Sequence, residues 1–121
     1  MMKDTLRTRI IKKPWGFEEI WAETSDYVGK ILHINKDCKL SRQYHIKKEE
    51  TIRVMSGVLT LEIGIPDKDL DIRQLKAGES FHIKPGLVHR FCAIDGDVDL
   101  AEVSTPFLQD VVRLEDDYRR N

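Results

Sequence analysis

The sequence has no long apolar run, no excess of charge of either sign and few aromatic residues. No apolar stretch approaches the roughly 18 residues of a membrane-spanning helix, so we expect no membrane association. The 20 basic and 21 acidic residues give a formal net charge of −1, which argues against a nucleic-acid partner. The first residues, MMKDTLRTRIIKK, lack the apolar segment of a secretory signal, and we therefore expect a cytoplasmic protein.

Cysteine is also scarce. Cys38 and Cys92 are far apart and form no CxxC pair, which favours two free thiols in a reducing cytosol over a disulfide framework. A chain of 121 residues can bury a core without such crosslinks. We therefore expect one domain over residues 1–121, with a barrel at about 13–105 and a C-terminal tail at 106–121.

Helical periodicity is nearly absent, and short alternating runs take its place between proline and glycine turns. The runs are 17–21, 28–34, 51–55, 58–65, 70–75, 80–83, 88–94 and 98–103. This spacing predicts an all-β sandwich or barrel in a single domain. Its predicted core includes Val54, Leu59, Leu61, Ile63, Phe81, Ile83, Phe91 and Val103. Only the tail FLQDVVRLEDDYRR leaves a short helix or turn open as an alternative to a strand.

Strand alternation predicts polar side chains on the inner face of this sandwich. Gln43 and His45 are two residues apart and point the same way, and Glu50 begins a run that is otherwise largely apolar on that face. His89 shares a face with Phe91. Buried carboxylate and imidazole groups are costly when unpaired, and a divalent metal would remove that cost. Taken singly, an inward histidine is more often an ordinary hydrogen-bonded core residue, and it is the combination that favours a metal site.

The spacing of these residues resembles the cupin superfamily. Its first motif has two ligands separated by one residue, followed by a glutamate and then a glycine. Gln43, His45, Glu50 and Gly57 stand at these positions here. Its second motif runs from a glycine through a Pro/Gly turn to a histidine, as in GESFHIKPGLVH, which ends at His89. The resemblance implies a jelly-roll β-sandwich barrel with one divalent metal per chain.

A closer resemblance, over residues 13 to 120, is to the type II mannose-6-phosphate isomerases. It rests on KKPWGFEEIW near the start, on glutamine as first ligand and on the ending DVVRLEDDYRR. The chain departs from that family where Ile46 and Lys47 replace a histidine-rich run and Thr51-Ile52 replaces a His-Trp pair. The substrate therefore need not be mannose 6-phosphate, although the resemblance implies a phosphorylated sugar.

The resemblance implies aldose–ketose isomerisation with a metal held by Gln43, His45, Glu50 and His89. Nitrogen and oxygen ligands suit Zn, Mn, Fe, Co or Ni. Glu102 shares the inner face of its run with Val98 and Leu100, and it is the candidate base. Lys30 also faces inward and is a candidate catalytic residue and substrate contact, but Lys30 and Glu102 could simply pair across the barrel.

At the rim, the basic residues Arg42, Lys47, Lys48 and Lys84 are expected to be solvated charges. Arg120, which matches the family's terminal arginine, is a candidate for binding an anionic group. Alternatively, it is a solvated charge near the C-terminus.

Three function classes remain open from the sequence: a sugar-phosphate isomerase or epimerase, a non-catalytic sugar-binding cupin, and an Fe(II)-dependent cupin dioxygenase. Two histidines and one carboxylate also form the facial triad of non-heme iron enzymes. Small cupins commonly dimerise, and the resemblance thus implies a homodimer. Strands near residues 8 to 22 would cover the partner's sheet.

Overall fold

The computed structural model describes residues 7–65 and 68–119. Its strands are β1 (Arg9–Lys13), β2 (Gly16–Glu23), β3 (Val28–Ile34), β4 (Cys38–Lys39), β5 (Arg42–Tyr44), β6 (Glu50–Ser56), β7 (Leu59–Gly64), β8 (Asp71–Leu75), β9 (Ser80–Ile83), β10 (Val88–Ala93), β11 (Val98–Ser104) and β12 (Val112–Glu115). The described residues contain no helix, and hence none that could cross a membrane. In the tail, where a short helix or turn was the alternative to a strand, the structure has the strand β12.

Two antiparallel sheets form the sandwich. The first has the order β1-β2-β3-β11-β6-β9 and the second the order β12-β5-β10-β7-β8, with β4 also paired to β10. Inward side chains of both sheets form one apolar cluster, which includes Leu32, Ile52 and Leu100 from the first sheet and Leu61 and Phe91 from the second. The predicted all-β sandwich is confirmed.

Most of the predicted core is buried, with one error. Phe81 is partly buried against the cluster, and Val103 is 55% exposed. Strand β11 turns Val98, Leu100, Glu102 and Ser104 inward, so the intervening Val103 must point outward. Alternation along the strand therefore excludes Val103 from the core for the same reason that it brings Glu102 inside.

The outer face of the first sheet carries exposed apolar side chains. Val103 is paired with Gly29 on β3, and the ring of Trp21 lies over the same glycine, where a Cβ atom would be 2.8 Å from the indole. Trp21 is 47% exposed and Ile10, on the edge strand β1, is 63% exposed. Ile10, Trp21 and Val103 are together called the apolar patch; Ile10 and Trp21 lie on β1 and β2, within the segment predicted to contact a partner chain, and Val103 lies on β11.

The glycine of the first motif has a steric explanation. Gly57 directly follows the strand β6 with φ of +81°, and a Cβ atom there would lie 2.3 Å from the backbone oxygen of Asp97. Only glycine avoids both the strained backbone and this clash. The tight turn lets β7 follow β6 directly into the opposite sheet.

Candidate metal centre and charged cavity

Three predicted ligands meet inside the sandwich. His45 directly follows β5, Glu50 begins β6 and His89 lies on β10, and all three are buried. The Nε2 atoms of His45 and His89 each lie 3.2 Å from Oε1 of Glu50. The three candidate ligand atoms lie within 4.8 Å of one another.

Hydrogen bonds at the far side of each ring orient the two histidines. His45 Nδ1 donates to the backbone oxygen of Asp110 at 2.5 Å, and His89 Nδ1 donates to that of Leu87 at 3.0 Å. With hydrogen on Nδ1, a neutral imidazole has its lone pair on Nε2, as a metal ligand requires. These tautomers follow from the hydrogen-bond partners.

The converging atoms fit a cation. Two Nε2 lone pairs and a carboxylate oxygen repel one another unless a hydrogen or a cation lies between them. Among the described residues His89 Nε2 is buried without a well-directed hydrogen bond, and a cation between it and Glu50 Oε1, 3.2 Å away, would satisfy both atoms. Burial acts to raise the pKa of Glu50, but contacts with His45 and His89 and the charge of Lys48 hold it well below its usual range. Glu50 is therefore ionised, as a ligand must be.

Gln43, the fourth predicted ligand, lines the same cavity. It lies on β5 directly opposite His89 on β10, and its Oε1 accepts a hydrogen bond of 2.6 Å from Ser41 Oγ. An amide oxygen keeps a second lone pair when it accepts one hydrogen bond. Coordination by Gln43 stays a prediction.

Two long-range contacts position the turn after His45. The backbone N–H of Gly86, in the turn before β10, donates to the oxygen of His45 at 2.8 Å. From the tail, the Asp110 carboxylate accepts hydrogen bonds from the backbone N–H groups of Ile46, Lys47 and Lys48 at 3.1, 2.6 and 2.9 Å. The bonds from Lys47 and Lys48 contribute most to lowering the pKa of Asp110.

Three of the candidate ligands, Gln43, His45 and Glu50, border a polar cavity of about 110 Å³. It is lined by Lys13, Trp15, Glu18, Lys30, Leu32, Leu40, Gln43, His45, Lys48, Glu50, Phe91, Glu102, Leu108, Val111 and Arg113. The lining residues come from both sheets and from the segment between β11 and β12. That segment therefore supplies part of the cavity wall.

Opposite charges alternate along the cavity wall. Lys48 Nζ lies 3.4 Å from Glu50 and 3.3 Å from Glu102. Lys30 Nζ lies 3.7 Å from Glu102 and 3.1 Å from Glu18. Lys30 and Glu102 thus do pair across adjacent strands, but the shorter contact of Lys30 is with Glu18, a residue that the sequence analysis did not single out.

Burial and the nearby Glu50 carboxylate raise the pKa of Glu102 to about 8, against the opposing effect of Lys30 and Lys48. Burial acts to lower the pKa of Lys48, but Glu102 and Glu50 outweigh it and raise the pKa. Glu102 Oε2 is buried and makes no hydrogen bond. Glu102 therefore has the environment of a group that exchanges protons, which is typical of acid–base residues.

Lys48 is the clearest correction to the sequence analysis. It was expected at the rim with Arg42, Lys47 and Lys84, but its side chain is buried between two glutamates. Lys47 and Lys84 are exposed as expected. Arg42 is half-buried and pairs with Glu62 and Glu115. Arg120 lies outside the described residues.

Glu18 and Asp110 also belong to the site but were not predicted from the sequence, for different reasons. Glu18 shares a strand face with the buried Ile20, so the alternation that found Lys30 would have found it as well. Asp110 begins the ending DVVRLEDDYRR, but its role could not be predicted, because its contacts with residues 45–48 cross more than sixty positions of sequence.

Comparisons with known proteins agree with the fold. The sequence family described as "Mannose-6-phosphate isomerase C-terminal" matches residues 2–116. No curated protein matches the chain. Among solved structures, the capsular polysaccharide assembling protein CapF of Staphylococcus aureus is similar at a TM-score of 0.80 and 17% identity, over 90% of this chain and 34% of CapF.

Two further solved structures share the fold. KdgF from Halomonas sp. has a TM-score of 0.70 at 16% identity, over 87% of this chain and 90% of KdgF. Bacillus subtilis oxalate decarboxylase, which has Mn(II) centres, has a TM-score of 0.74 at 15% identity, over 87% of this chain and 29% of the decarboxylase. The chain spans about a third of CapF and of the decarboxylase. At these identities the likeness establishes the fold alone, and that fold is the cupin jelly roll. The chain belongs to the mannose-6-phosphate isomerase C-terminal family of cupins.

Proposed function

We propose that this chain is a metal-dependent cupin that interconverts aldose and ketose forms of a phosphorylated sugar. The observation that carries the proposal is the convergence of His45 Nε2, His89 Nε2 and Glu50 Oε1 beside a second buried carboxylate, Glu102. Family membership supports an isomerase, because the matching family is named for one.

One divalent metal ion would be held by His45, Glu50 and His89, with Gln43 as a fourth ligand. Its identity would be Zn, Mn, Fe, Co or Ni, since the ligands are nitrogen and oxygen atoms without a thiolate. When bound, such an ion polarises a sugar carbonyl as a Lewis acid.

Glu102 is the proposed base, which would move a proton between the C1 and C2 positions of the sugar. Glu102 lines the cavity, and its Oε2 atom is ion-paired with Lys48 and Lys30 without a hydrogen bond to the described residues, so a substrate hydrogen would have to replace one of these ammonium groups. Lys30 and Lys48 flank this carboxylate at 3.7 and 3.3 Å, so either ammonium could donate to a substrate oxygen beside the transferred proton. A bound metal would add positive charge and favour the ionised, basic form of Glu102.

The charges of the cavity favour an anionic substrate. Its wall carries the basic residues Lys13, Lys30, Lys48 and Arg113 against the three acidic residues Glu18, Glu50 and Glu102. A divalent metal would add two further positive charges. A sugar phosphate would balance this excess, with Arg113, Lys13 and the tail residue Arg120 as candidates for contacting the phosphate.

A homodimer is the second part of the proposal. The apolar patch of Ile10, Trp21 and Val103 lies on the outer face of the first sheet, and such surfaces commonly mark protein interfaces. A two-fold axis at this patch would place like side chains against one another and bury all three.

The first experiment is metal analysis by elemental spectrometry. Wild-type protein should contain about one divalent ion per chain, and the double variant His45→Ala, His89→Ala should contain none. Equal metal content in the two proteins would refute the metal centre.

The second experiment is an NMR assay in D₂O with mannose 6-phosphate and related phosphorylated sugars. Exchange of the C2 proton should occur with wild type and with Glu19→Gln, a carboxylate change on the outer face of the first sheet. Exchange should fall at least 100-fold in Glu102→Gln, because general acid–base groups contribute roughly 10²- to 10⁴-fold. Tight sugar binding without exchange would instead identify a binding protein, and oxygen uptake with Fe(II) would identify a dioxygenase.

A further inference from the structure

Asp110, in the segment between β11 and β12, contacts the candidate metal centre with two different groups. Its backbone oxygen accepts the hydrogen of His45 Nδ1 at 2.5 Å. Its carboxylate accepts three backbone hydrogen bonds from Ile46, Lys47 and Lys48. Asp110 belongs to neither ligand motif, and it is 65 residues from His45.

We propose that Asp110 is a positioning residue that prepares His45 for metal binding. Its backbone oxygen selects the His45 tautomer with a free lone pair on Nε2, and its carboxylate anchors that oxygen to the turn that follows His45. The inference rests on the metal centre of the proposed function.

The two histidines differ in how their orientation is secured. His89 lies within β10, where strand pairing on both sides holds the backbone, and its Nδ1 partner is Leu87, only two residues away. His45 lies just past the end of β5, outside the strand pairing, and its partner comes from the tail. The orientation of His45 therefore depends on a long-range contact, whereas that of His89 is local.

The carboxylate keeps that long-range contact in place. Three hydrogen bonds from consecutive N–H groups hold Asp110 at the turn, and hydrogen bonds to a charged acceptor are about twice as strong as neutral ones. The same turn directs Lys48 inward and leads into Glu50 at the start of β6. Loss of the carboxylate would loosen the tail, and the Asp110 oxygen would leave the His45 ring.

The test compares Asp110→Ala and Asp110→Asn with Gln109→Ala, which changes an exposed neighbour in the same segment. Calorimetric titration with MnCl₂ and with ZnCl₂ should show affinity reduced 10- to 100-fold in Asp110→Ala, the usual effect of removing a group that orients a ligand. Asp110→Asn keeps one acceptor oxygen and should lose less. Gln109→Ala should bind like wild type.

A second measurement reads the tautomer directly, in metal-free protein with ¹⁵N-labelled histidine. Long-range ¹H–¹⁵N correlation should show hydrogen on Nδ1 of both His45 and His89 in wild type, whether or not Nε2 also shares a hydrogen with Glu50 Oε1 at 3.2 Å. In Asp110→Ala the His45 ring should become a mixture of tautomers, while His89 should be unchanged because Leu87 still accepts its hydrogen. A general loosening of the fold would alter both rings.

The outcomes separate the two proposals. Absence of metal binding in wild type would refute the metal centre, and the His45 tautomer would still test Asp110. Wild-type metal affinity together with a wild-type His45 tautomer in Asp110→Ala would overturn the role of Asp110 alone. If Asp110→Ala does not fold, as judged by circular dichroism, Asp110→Asn decides the question by the same two measurements.

Discussion

Removal of the buried Lys48 ammonium should destabilise the metal-free protein strongly. Lys48 is 5% exposed and is the cation nearest to both Glu50 and Glu102. The substitution Lys48→Met keeps most of the side-chain volume and removes only the charge. Among the described residues Glu50 would then keep no lysine contact, and Glu102 would keep only Lys30, which lies 3.7 Å away and is also engaged by Glu18.

The expected loss in the free energy of unfolding comes from the buried carboxylate charge that Lys48 no longer neutralises. Loss of one partner from a buried ion pair costs about 3 to 5 kcal/mol, a large part of a typical unfolding free energy of about 5 to 15 kcal/mol. An unfolding entropy of about 2.1 cal/mol/K per residue gives about 0.25 kcal/mol/K for a chain of 121 residues. The melting temperature of Lys48→Met should therefore fall by about 12 to 20 °C.

The assay is thermal unfolding in EDTA, followed by circular dichroism. Lys47→Met is the matched control, since Lys47 is the exposed neighbour in the same turn and should change the melting temperature by less than about 3 °C. Adding Glu102→Gln to Lys48→Met should change the melting temperature little further at pH 7, because Glu102, whose pKa is raised to about 8, is already largely protonated there. A drop of less than about 4 °C in Lys48→Met would refute the assignment of Lys48 as the buried counter-charge.

Three further predictions concern other parts of the molecule. In titrations with ZnCl₂, Gln43→Ala should weaken metal binding without abolishing it, and Gln43→His should preserve or tighten it. Complete loss of binding in Gln43→Ala would contradict the view that the Gln43 amide oxygen is the weakest of the four ligands. Burial and the charge of Glu62 raise the pKa of the Cys92 thiol to about 11, so about one molecule in a thousand is thiolate at pH 8. Iodoacetamide should therefore label the more exposed Cys38 first, and equal rates would contradict the burial of Cys92. Light scattering should give twice the 14.1 kDa chain mass for wild type and a monomer for Val103→Lys, whereas a wild-type monomer would rule out the dimer.

The strands that the sequence predicted are those long enough to show alternation. Runs such as 28–34 and 98–103 contain several apolar residues on one face, so both the strand and its inward side chains can be identified. The two-residue β4 and the three-residue β5 contain too few positions for a pattern. They are strands because β10 pairs with them, and such pairing is a property of the tertiary fold.

Alternation also explains why Lys30 and Glu102 could be predicted to face inward while Lys48 could not. The two predicted residues lie in the middle of the strands β3 and β11, where the direction of each side chain follows from its neighbours. Lys48 lies in the turn between β5 and β6, where no such rule holds. The direction of its side chain depends on the hydrogen bonds that Asp110 makes with the turn, which bring together residues 62 positions apart. The spacing within a charged turn such as HIKKEE therefore identifies candidate metal ligands, whereas the burial of Lys48 becomes evident only from the contacts of the turn with the tail.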